Sequence, residues 1–432
     1  MALGGGVFID QSKILPGAYI NFISLSQVNA SLSDRGVAAI ALNLDYGPSK
    51  ELIKLTRKDF VEGLVPILGQ SASDEKMKGL RDLFKNVKMA YVYNLQSGGK
   101  KAENAFATAK YPGTRGNDFK IVIHKNAKDE SAFDVITFVG TEQVDKQTAK
   151  TAKDLVNNAY VDFKSEASLA ETASTPLAGG ENGTANGEAH QDFLNKLEPV
   201  PVNAIGCISN EDSVKSVYET YTKRMREEVG KKLQCVLFNQ ASDYEGVVNL
   251  TTPTKEGDTN LVYWVTGIIA GCAINQSNIN QIYNGEFTPI VEQTQAELED
   301  DIKTGKFVLH QVGDDIRVLH DNNSLVTFSN MHGEIFRTNQ AVRVMDQIAN
   351  DIANLFNTKY FGIYPNDESG RISLWSDIVR HHERLEALRA IQNFDEKDVI
   401  VQKGKNKNTV VVSDKVNLVG TMAQLYMTVV LE

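Results

Sequence analysis

The chain has 432 residues, enough for about three domains of ordinary size, and 42% of them are hydrophobic. Its net charge of −10 argues against a broad surface for nucleic acids or anionic membranes, which needs a basic face. No stretch approaches the roughly 20 apolar residues that cross a bilayer, and no secretory signal is visible at the N-terminus. We therefore expect a protein made and kept in a cytoplasm, with no membrane insertion and no nucleic-acid partner.

The first residues predict an extended arm. Residues 7–9 form a short apolar run, and the Pro16-Gly17 pair that follows excludes a helix. The segment is apolar, yet it precedes any recognisable core. We interpret residues 1–27 as an N-terminal arm.

A small N-terminal domain is predicted for residues 28–97. It begins with an apolar strand at 37–44, continues with helices at 59–68 and 74–84, and ends with a strand at 89–95. Gly98 and Gly99 follow this last strand.

A separate β-rich domain is predicted for residues 98–165. Apolar and polar residues alternate over 119–124, which is the period of a half-buried strand. A second strand is expected at 133–139, and a short helix at 148–157 closes the domain.

The composition changes sharply after this domain. Nearly every residue at 166–192 is Ala, Ser, Thr, Gly, Glu or Asn, which is typical of a linker or a long surface loop. We place the clearest boundary of the chain here.

Strands and helices alternate in the next region, residues 193–325. Strands are predicted at 204–208 and 233–238, with helices at 214–229 and 261–273. This order favours an α/β core domain with a largely parallel sheet.

An α+β C-terminal domain is predicted for residues 326–420. It holds two long helices, 341–356 and 373–391, and then a hairpin with strands at 399–401 and 409–412. The whole chain is thus expected to be a multidomain α+β and α/β protein.

The chain ends in an apolar segment, residues 421–432, that we interpret as a C-terminal arm strand. Four apolar residues alternate with their neighbours along it: Leu425, Met427, Val429 and Leu431. Because a terminus is usually frayed and polar, a run this apolar is expected to dock on a partner.

Motifs for phosphate binding and nucleophilic catalysis are incomplete. Residues 98–101 lack the earlier glycine and the following Ser or Thr of a phosphate-binding loop. Residues 69–73 come nearest to a nucleophile elbow but lack its second glycine. We therefore predict no catalytic residue and no cofactor. The alternative is an α/β enzyme whose site goes unrecognised, since fold class does not fix function.

The histidines and cysteines also favour packing over metal binding. His382 shares the apolar face of its helix, and His310 is expected to pair with Arg317 across a hairpin, away from His320. Each cysteine lies in an apolar run and is expected to act as a small hydrophobe rather than a metal ligand or disulfide partner: Cys207, Cys235 and Cys272.

Several short runs, in this order along the chain, resemble contractile tail sheath proteins of Gram-positive myophages and R-type bacteriocins. They are KILPGAYINF at 13–22, RGVAAI at 35–40 with YGP at 46–48, AKYPGTRGND at 109–118 and TPLAGGENG at 175–183. Each run alone is weak evidence for this family, but together the runs extend the resemblance over nearly the whole chain.

The resemblance implies a structural subunit rather than an enzyme. Such subunits stack as hexameric rings around a tail tube, and contraction drives the tube through a target cell envelope without a cofactor. The implied partners are neighbouring copies joined by strand exchange, the tail tube protein, and the baseplate and tail terminator proteins. The implied locations are the host cytoplasm during assembly and then a virion tail or a released bacteriocin particle. The sequence does not separate a phage from a bacteriocin or another contractile injection system.

The resemblance also assigns two groups of candidate contact residues. The predicted intersubunit contacts are the apolar residues of both arms: Val7, Phe8, Ile9, Ile14, Tyr19, Leu425, Met427, Val429 and Leu431. The candidates for contact with the tube are basic residues of the C-terminal domain: Arg380, Arg384, Arg389, Lys403, Lys405 and Lys407. The alternative for the basic residues is ordinary solvated charge.

Overall fold

The computed structural model describes residues 32, 34–330 and 332–431. The predicted N-terminal arm lies outside the described residues, together with its candidate contacts Val7, Phe8, Ile9, Ile14 and Tyr19. The described chain divides into two compact units. The main unit includes residues 34–330, 332–350, 385–394 and 416–431. The smaller unit includes residues 351–384 and 395–415.

Strands and helices alternate along most of the described chain. The strands are β1 (Val37–Leu42), β2 (Leu52–Thr56), β3 (Met89–Asn94), β4 (Ala107–Ala109), β5 (Phe119–Lys125), β6 (Phe133–Val139), β7 (Glu142–Ala149), β8 (Val161–Phe163), β9 (Thr172–Pro176), β10 (Ala204–Cys207), β11 (Gln234–Phe238), β12 (Val247–Leu250), β13 (Lys306–Phe307), β14 (Leu309–Val312), β15 (Asp315–Val318), β16 (Ile391–Gln392), β17 (Ile400–Lys403), β18 (Val410–Ser413) and β19 (Asn417–Leu418). The α-helices are α1 (Arg57–Glu62), α2 (Leu64–Leu68), α3 (Lys78–Phe84), α4 (Gly187–Leu197), α5 (Asp212–Arg224), α6 (Leu261–Gly271), α7 (Gln295–Lys303), α8 (Asn339–Leu355) and α9 (Glu368–Ala387). These elements confirm the predicted α+β and α/β fold class.

A seven-stranded sheet forms the centre of the main unit, in the order β13-β12-β11-β10-β1-β3-β2. All neighbouring strands are parallel except β2 and β3. The apolar runs of β1, β10 and β11 are buried on both faces, as expected for parallel strands covered by helices. Because β1 pairs with both β3 and β10, the regions predicted as N-terminal and core domains build one sheet.

Helices cover both faces of this sheet. On one face α3 and α6 enclose a core that includes Trp264, and on the other α4 and α5 enclose a core that includes Phe193 and Tyr218. A Cβ at Gly79 in α3 would lie 2.5 Å from the ring of Tyr263 in α6. Only glycine therefore permits this close approach of the two helices.

The β-rich domain contains an antiparallel sheet in the order β7-β6-β5-β9. Phe119, Ile121 and Ile123 of β5 are fully buried, which confirms the alternation read from the sequence. The helix predicted at 148–157 is wrong. Residues up to Ala149 instead continue β7, which pairs antiparallel with β6 and places Ala149 opposite Phe133. Only a single 3₁₀ turn, Ala152–Asp154, follows.

The segment predicted as a linker at 166–192 is partly regular structure. Its residues Thr172–Pro176 form β9 on the edge of the β-rich sheet, and α4 begins at Gly187 with Asn186 as its N-cap. The prediction of a loop is wrong for these parts. Most of the residues of β9 face solvent, so the strand needs few apolar residues and leaves little signal in the sequence.

The β-rich domain is inserted between two strands of the central sheet. The chain leaves the sheet after β3 and returns to it at β10, two strands that lie on either side of β1. The outgoing and returning segments are joined by antiparallel bridges, Ser97 with Thr184 and Lys100 with Glu181. The two connections therefore run side by side.

The predicted elements of the C-terminal region are confirmed, except that the second helix, predicted to end at 391, ends at Ala387, and Ile391 lies in β16. Both long helices, α8 and α9, begin a few residues before their predicted starts, and β17 and β18 form the expected hairpin. Within the main unit, Arg226 donates to both carboxylate oxygens of Asp346 in α8, at 2.6 and 2.9 Å. Both side chains are buried, so this pair fixes the first part of α8 to the unit.

Candidate assembly surface

The chain is held in place up to Thr421. Strand β19 pairs with β16, with Leu418 opposite Ile391. Gln340, a buried residue of α8, accepts a hydrogen bond from the backbone N–H of Thr421 at 3.0 Å. Its amide also donates to the carbonyl of Val419 at 3.2 Å. These contacts fix the point from which the last residues depart.

The residues that follow, 422–431, are here called the terminal segment, and their side chains are exposed. Leu425 is 85% exposed, Met427 74%, Val429 66% and Leu431 90%. In the single chain, residues 422–431 join no ladder with the described strands, so the strand that they are expected to form on a partner stays a prediction. A strand needs the backbone of a partner, and each of these side chains instead faces water.

The six basic residues that are candidates for contact with the tube lie on separate elements. Lys403 ends β17, while Lys405 and Lys407 lie in the exposed turn of the hairpin, so these three are brought together. Arg380 and Arg384 lie one turn apart on α9 in the smaller unit. Arg380 forms an ion pair with Asp377 at 3.4 Å, which partly neutralises it.

Arg389 stands apart from the other basic candidates. It follows α9 with a positive φ of 60° and is exposed, and it belongs to the main unit. Contact of any of the six residues with a tube stays a prediction.

Two histidine predictions are confirmed. His310 pairs with Arg317 across the hairpin of β14 and β15. His382 is fully buried, with its Nε2 atom 2.6 Å from the Asp414 carboxylate and its Nδ1 atom 3.1 Å from Nδ1 of His381. It therefore acts as a packed residue with polar partners.

The cysteines behave largely as predicted. Cys207 and Cys235 are buried, and Cys272 is partly buried. Burial raises the pKa of Cys207 to about 12 and that of Cys235 well above its ordinary value, so both thiols stay protonated at neutral pH.

Within the described ranges, no group of three or more His, Cys, Asp or Glu side chains is arranged to hold a metal ion. No helix in that part of the chain is both long enough and apolar enough to cross a bilayer.

An aromatic pocket in the smaller unit was not predicted from the sequence. It has a volume of about 420 Å³ and lies between the end of α8, the loop to α9 and the tip of the β17–β18 hairpin. The ring centroids of Phe356 and Phe361 are 6.4 Å apart, and those of Tyr360 and Tyr364 are 4.9 Å apart. Four aromatic residues within the nine positions 356–364 were the signal that could have revealed it.

The terminal segment adds an interaction surface to this multidomain α+β fold. Apolar side chains that are exposed together usually mark a site that another molecule covers.

Comparison with known proteins identifies the family. Successive parts of the chain match the tail sheath protein Gp18 domain III N-terminal region (residues 35–95), the phage tail sheath protein beta-sandwich domain (92–182), the phage tail sheath protein central domain (183–324) and the phage tail sheath C-terminal domain (332–432). The phage-like element PBSX protein XkdK of Bacillus subtilis is 30% identical over 99% of both chains. The chain belongs to the phage tail sheath family, which confirms the resemblance and the tail sheath function expected from it.

Solved structures agree with this assignment. The sheath tail protein of Desulfitobacterium hafniense is 31% identical, with a TM-score of 0.81 over 95% of this chain and 99% of that one. The sheath of an extracellular contractile injection system in its contracted state shares the fold, with a TM-score of 0.58 at 12% identity over 97% of this chain and 98% of that one.

Proposed function

We propose that this chain is the repeated subunit of a contractile tail sheath, stacked in hexameric rings around a tail tube and contracting to drive the tube through a cell envelope. The observation that carries this proposal is the uncovered terminal segment on a chain with the tail sheath fold. The role is structural rather than enzymatic. An α/β enzyme is not favoured. One pocket of the described chain is lined by several titratable side chains, but Lys76 pairs there with Asp45 and Arg115 with Asp118, so these charges are taken up by ion pairs.

Strand addition to a neighbouring copy accounts for the terminal segment. Each added backbone hydrogen bond contributes about 0.5–1.5 kcal/mol net. Full burial of Leu425, Met427, Val429 and Leu431 would add about 1.5–3 kcal/mol for each side chain. An arm with this affinity holds two subunits together while their other contacts rearrange. Residues 1–27 and 421–432 are the two proposed arms.

The proposed partners besides other copies are a tail tube protein, a baseplate and a tail terminator. The exposed lysines of the hairpin are the better candidates for the tube, since Arg380 is already paired with Asp377. The subunit would assemble in the host cytoplasm and end in a virion tail or a released bacteriocin particle. Contraction draws on the difference in contact energy between two lattices, and this requires no nucleotide.

Negative-stain electron microscopy of the purified protein tests the proposal. We expect long hollow cylinders at high protein concentration, with a six-fold end-on view. A protein that stays monomeric at every concentration and salt condition, with or without tubes, would contradict it.

A further inference from the structure

The aromatic pocket of the smaller unit is uncovered in the single chain. Phe361 and Tyr364 at its rim are 69% and 44% exposed, although aromatic side chains are normally buried. Arg371 and Lys407 also line it, so the pocket combines apolar walls with hydrogen-bond donors. A complementary group would be apolar along its length and polar at its tip.

Hydrogen bonds hold the walls of this pocket in place. The Tyr360 hydroxyl donates to the buried Asp377 carboxylate at 2.6 Å. Burial and this carboxylate raise the pKa of Tyr360, so it stays a donor at neutral pH. Arg371 donates to the backbone carbonyl of Asn366 at 3.0 Å.

The hairpin side of the pocket is fixed in the same way. The side-chain amide of Asn366 donates to the carbonyls of Lys407 and Thr409, each at 2.9 Å. The loop and the hairpin tip are therefore tied together before any partner binds, and a preformed pocket loses little entropy on binding.

The terminal segment carries a side chain with the required chemistry. Tyr426 is 87% exposed and stands between Leu425 and Met427 in the sequence, so in an extended backbone it would face the opposite side from them. Its ring suits the aromatic walls in an edge-to-face arrangement, and its hydroxyl suits the polar groups. Its hydroxyl donates to the exposed side chain of Gln424 at 3.1 Å, a local contact that is easily exchanged.

We propose that Tyr426 of one copy occupies the aromatic pocket of a neighbouring copy. This inference deepens the proposed function, since it rests on docking of the terminal segment onto another subunit. Donor and receptor are different surfaces of the same chain, so the contact is heterologous and does not close on itself in a pair. Repetition of the contact produces a ring or a helical polymer.

The areas involved define the role of this contact. Full burial of one aromatic side chain removes about 150–250 Å² from water, and Phe361 and Tyr364 are already partly buried, so the three rings together contribute less than three times that area. A stable interface buries about 1,200–2,000 Å² in total. The pocket therefore anchors the terminal segment in one register, and backbone pairing supplies the rest of the interface.

Cross-linking between two different copies tests the contact. Chains carrying Tyr426→Cys are mixed with chains carrying Tyr364→Cys under polymerising conditions and oxidised. We expect a disulfide-linked dimer that contains one chain of each kind. The matched control replaces Tyr364→Cys with Val156→Cys, a residue 70% exposed in the β-rich domain, and should give no such dimer.

Polymerisation measurements give the functional readout. Tyr426→Ala and Phe361→Ala should each raise the concentration needed to form cylinders about tenfold, as expected for loss of about 1.4 kcal/mol of aromatic contact. Tyr426→Phe should fall between Tyr426→Ala and the wild type. Val61→Ala, which removes an equally exposed side chain from α1, should leave polymerisation unchanged. Because all these side chains are exposed, the melting temperature of the monomer serves as the folding control.

The possible results separate this inference from the proposed function. If the wild type forms cylinders and Tyr426→Ala forms them at the same concentration, the pocket contact is wrong and the sheath function stands. A mixed disulfide-linked dimer that is no more abundant than with the Val156→Cys control also overturns it. Absence of cylinders from the wild type contradicts the sheath function instead, and the mixed cross-link then reports on the pocket alone.

Discussion

Strand β5 and the terminal segment have the same alternating pattern and opposite surroundings. Phe119, Ile121 and Ile123 of β5 are fully buried because β6 and β9 flank the strand and the domain core covers it. Leu425 and Leu431 have the same period and are almost fully exposed. Alternation therefore specifies a strand and its apolar face, but it does not specify the molecule that supplies the partner strand.

Deletion of residues 425–432 is the strongest test of this comparison. We expect polymerisation to be lost while the monomer keeps its melting temperature, because the side chains of residues 425–431 are mostly exposed within it. Sedimentation velocity and electron microscopy measure the first property, and circular dichroism measures the second. Normal sheaths from the truncated chain would show that the terminal segment is not the connecting arm.

Two matched truncations sharpen the comparison. Ile121→Ala should lower the free energy of unfolding by about 2–5 kcal/mol, since it leaves a cavity in a closed core. Val429→Ala should change it by less than about 0.5 kcal/mol and should weaken polymerisation instead. Urea denaturation of the two monomers measures both values. Equal destabilisation would mean that Val429 is buried within its own chain in solution.

Charge reversal in the hairpin tests whether its lysines, which are predicted to contact the tube, bind another protein. Replacing Lys403, Lys405 and Lys407 with Glu should slow assembly on isolated tubes and leave monomer stability unchanged. Exposed charges contribute about 0.2–1 kcal/mol each, so the expected loss of affinity is moderate and smaller at high salt. Lys128→Glu in the β-rich domain is the control. Unchanged tube-templated assembly would identify these lysines as ordinary solvated charge.

The smallest expected effect is a loss of stability at low pH that arises in the β-rich sheet. Asp134 of β6 accepts hydrogen bonds from Thr148 and Asn126, both at 2.7 Å, and pairs with Lys146. These contacts, with Thr148 the largest, lower the pKa of Asp134 to about 2. Because the folded-state pKa is depressed, the stabilisation is present at neutral pH and is lost as the pH falls from about 4 towards 2.

The contribution of Asp134 should be below about 1 kcal/mol, since the pair lies near solvent. Melting temperatures between pH 5 and pH 2.5 measure it. Asp134→Asn should show a shallower decline over this range than the wild type. If the melting temperatures of Asp134→Asn and the wild type declined in parallel, the acid sensitivity would come from other carboxylates.

The sequence predicted most of the strands that are buried on both faces, but it missed β12, a buried strand inside the central sheet, and the edge strands β2 and β9. β1, β10 and β11 were found because a short, continuous apolar run is typical of a parallel strand that is buried on both faces. β2 and β9 were missed because an edge strand needs fewer apolar residues. The predicted helix at 148–157 failed because pairing with β6, a tertiary interaction, overrode local spacing.

The terminal segment and the aromatic pocket also differ in how clearly the sequence reveals them. The terminal segment was found because its pattern is contiguous in the sequence. The aromatic pocket was missed because its walls come from Phe356 and Tyr364 on one side and Lys407 on the other, more than forty positions along the chain. Only the folded hairpin brings these side chains together.

The paired connections of the inserted β-rich domain have an evolutionary consequence. The bridges at Ser97 and Lys100 hold both ends of the insertion together, and the strands on either side of it belong to a sheet with its own two cores. Changes in the size of the insertion are therefore expected to disturb the central sheet less than changes elsewhere in the chain. Antigenic variation and the display of foreign domains on such particles would be tolerated best at this position.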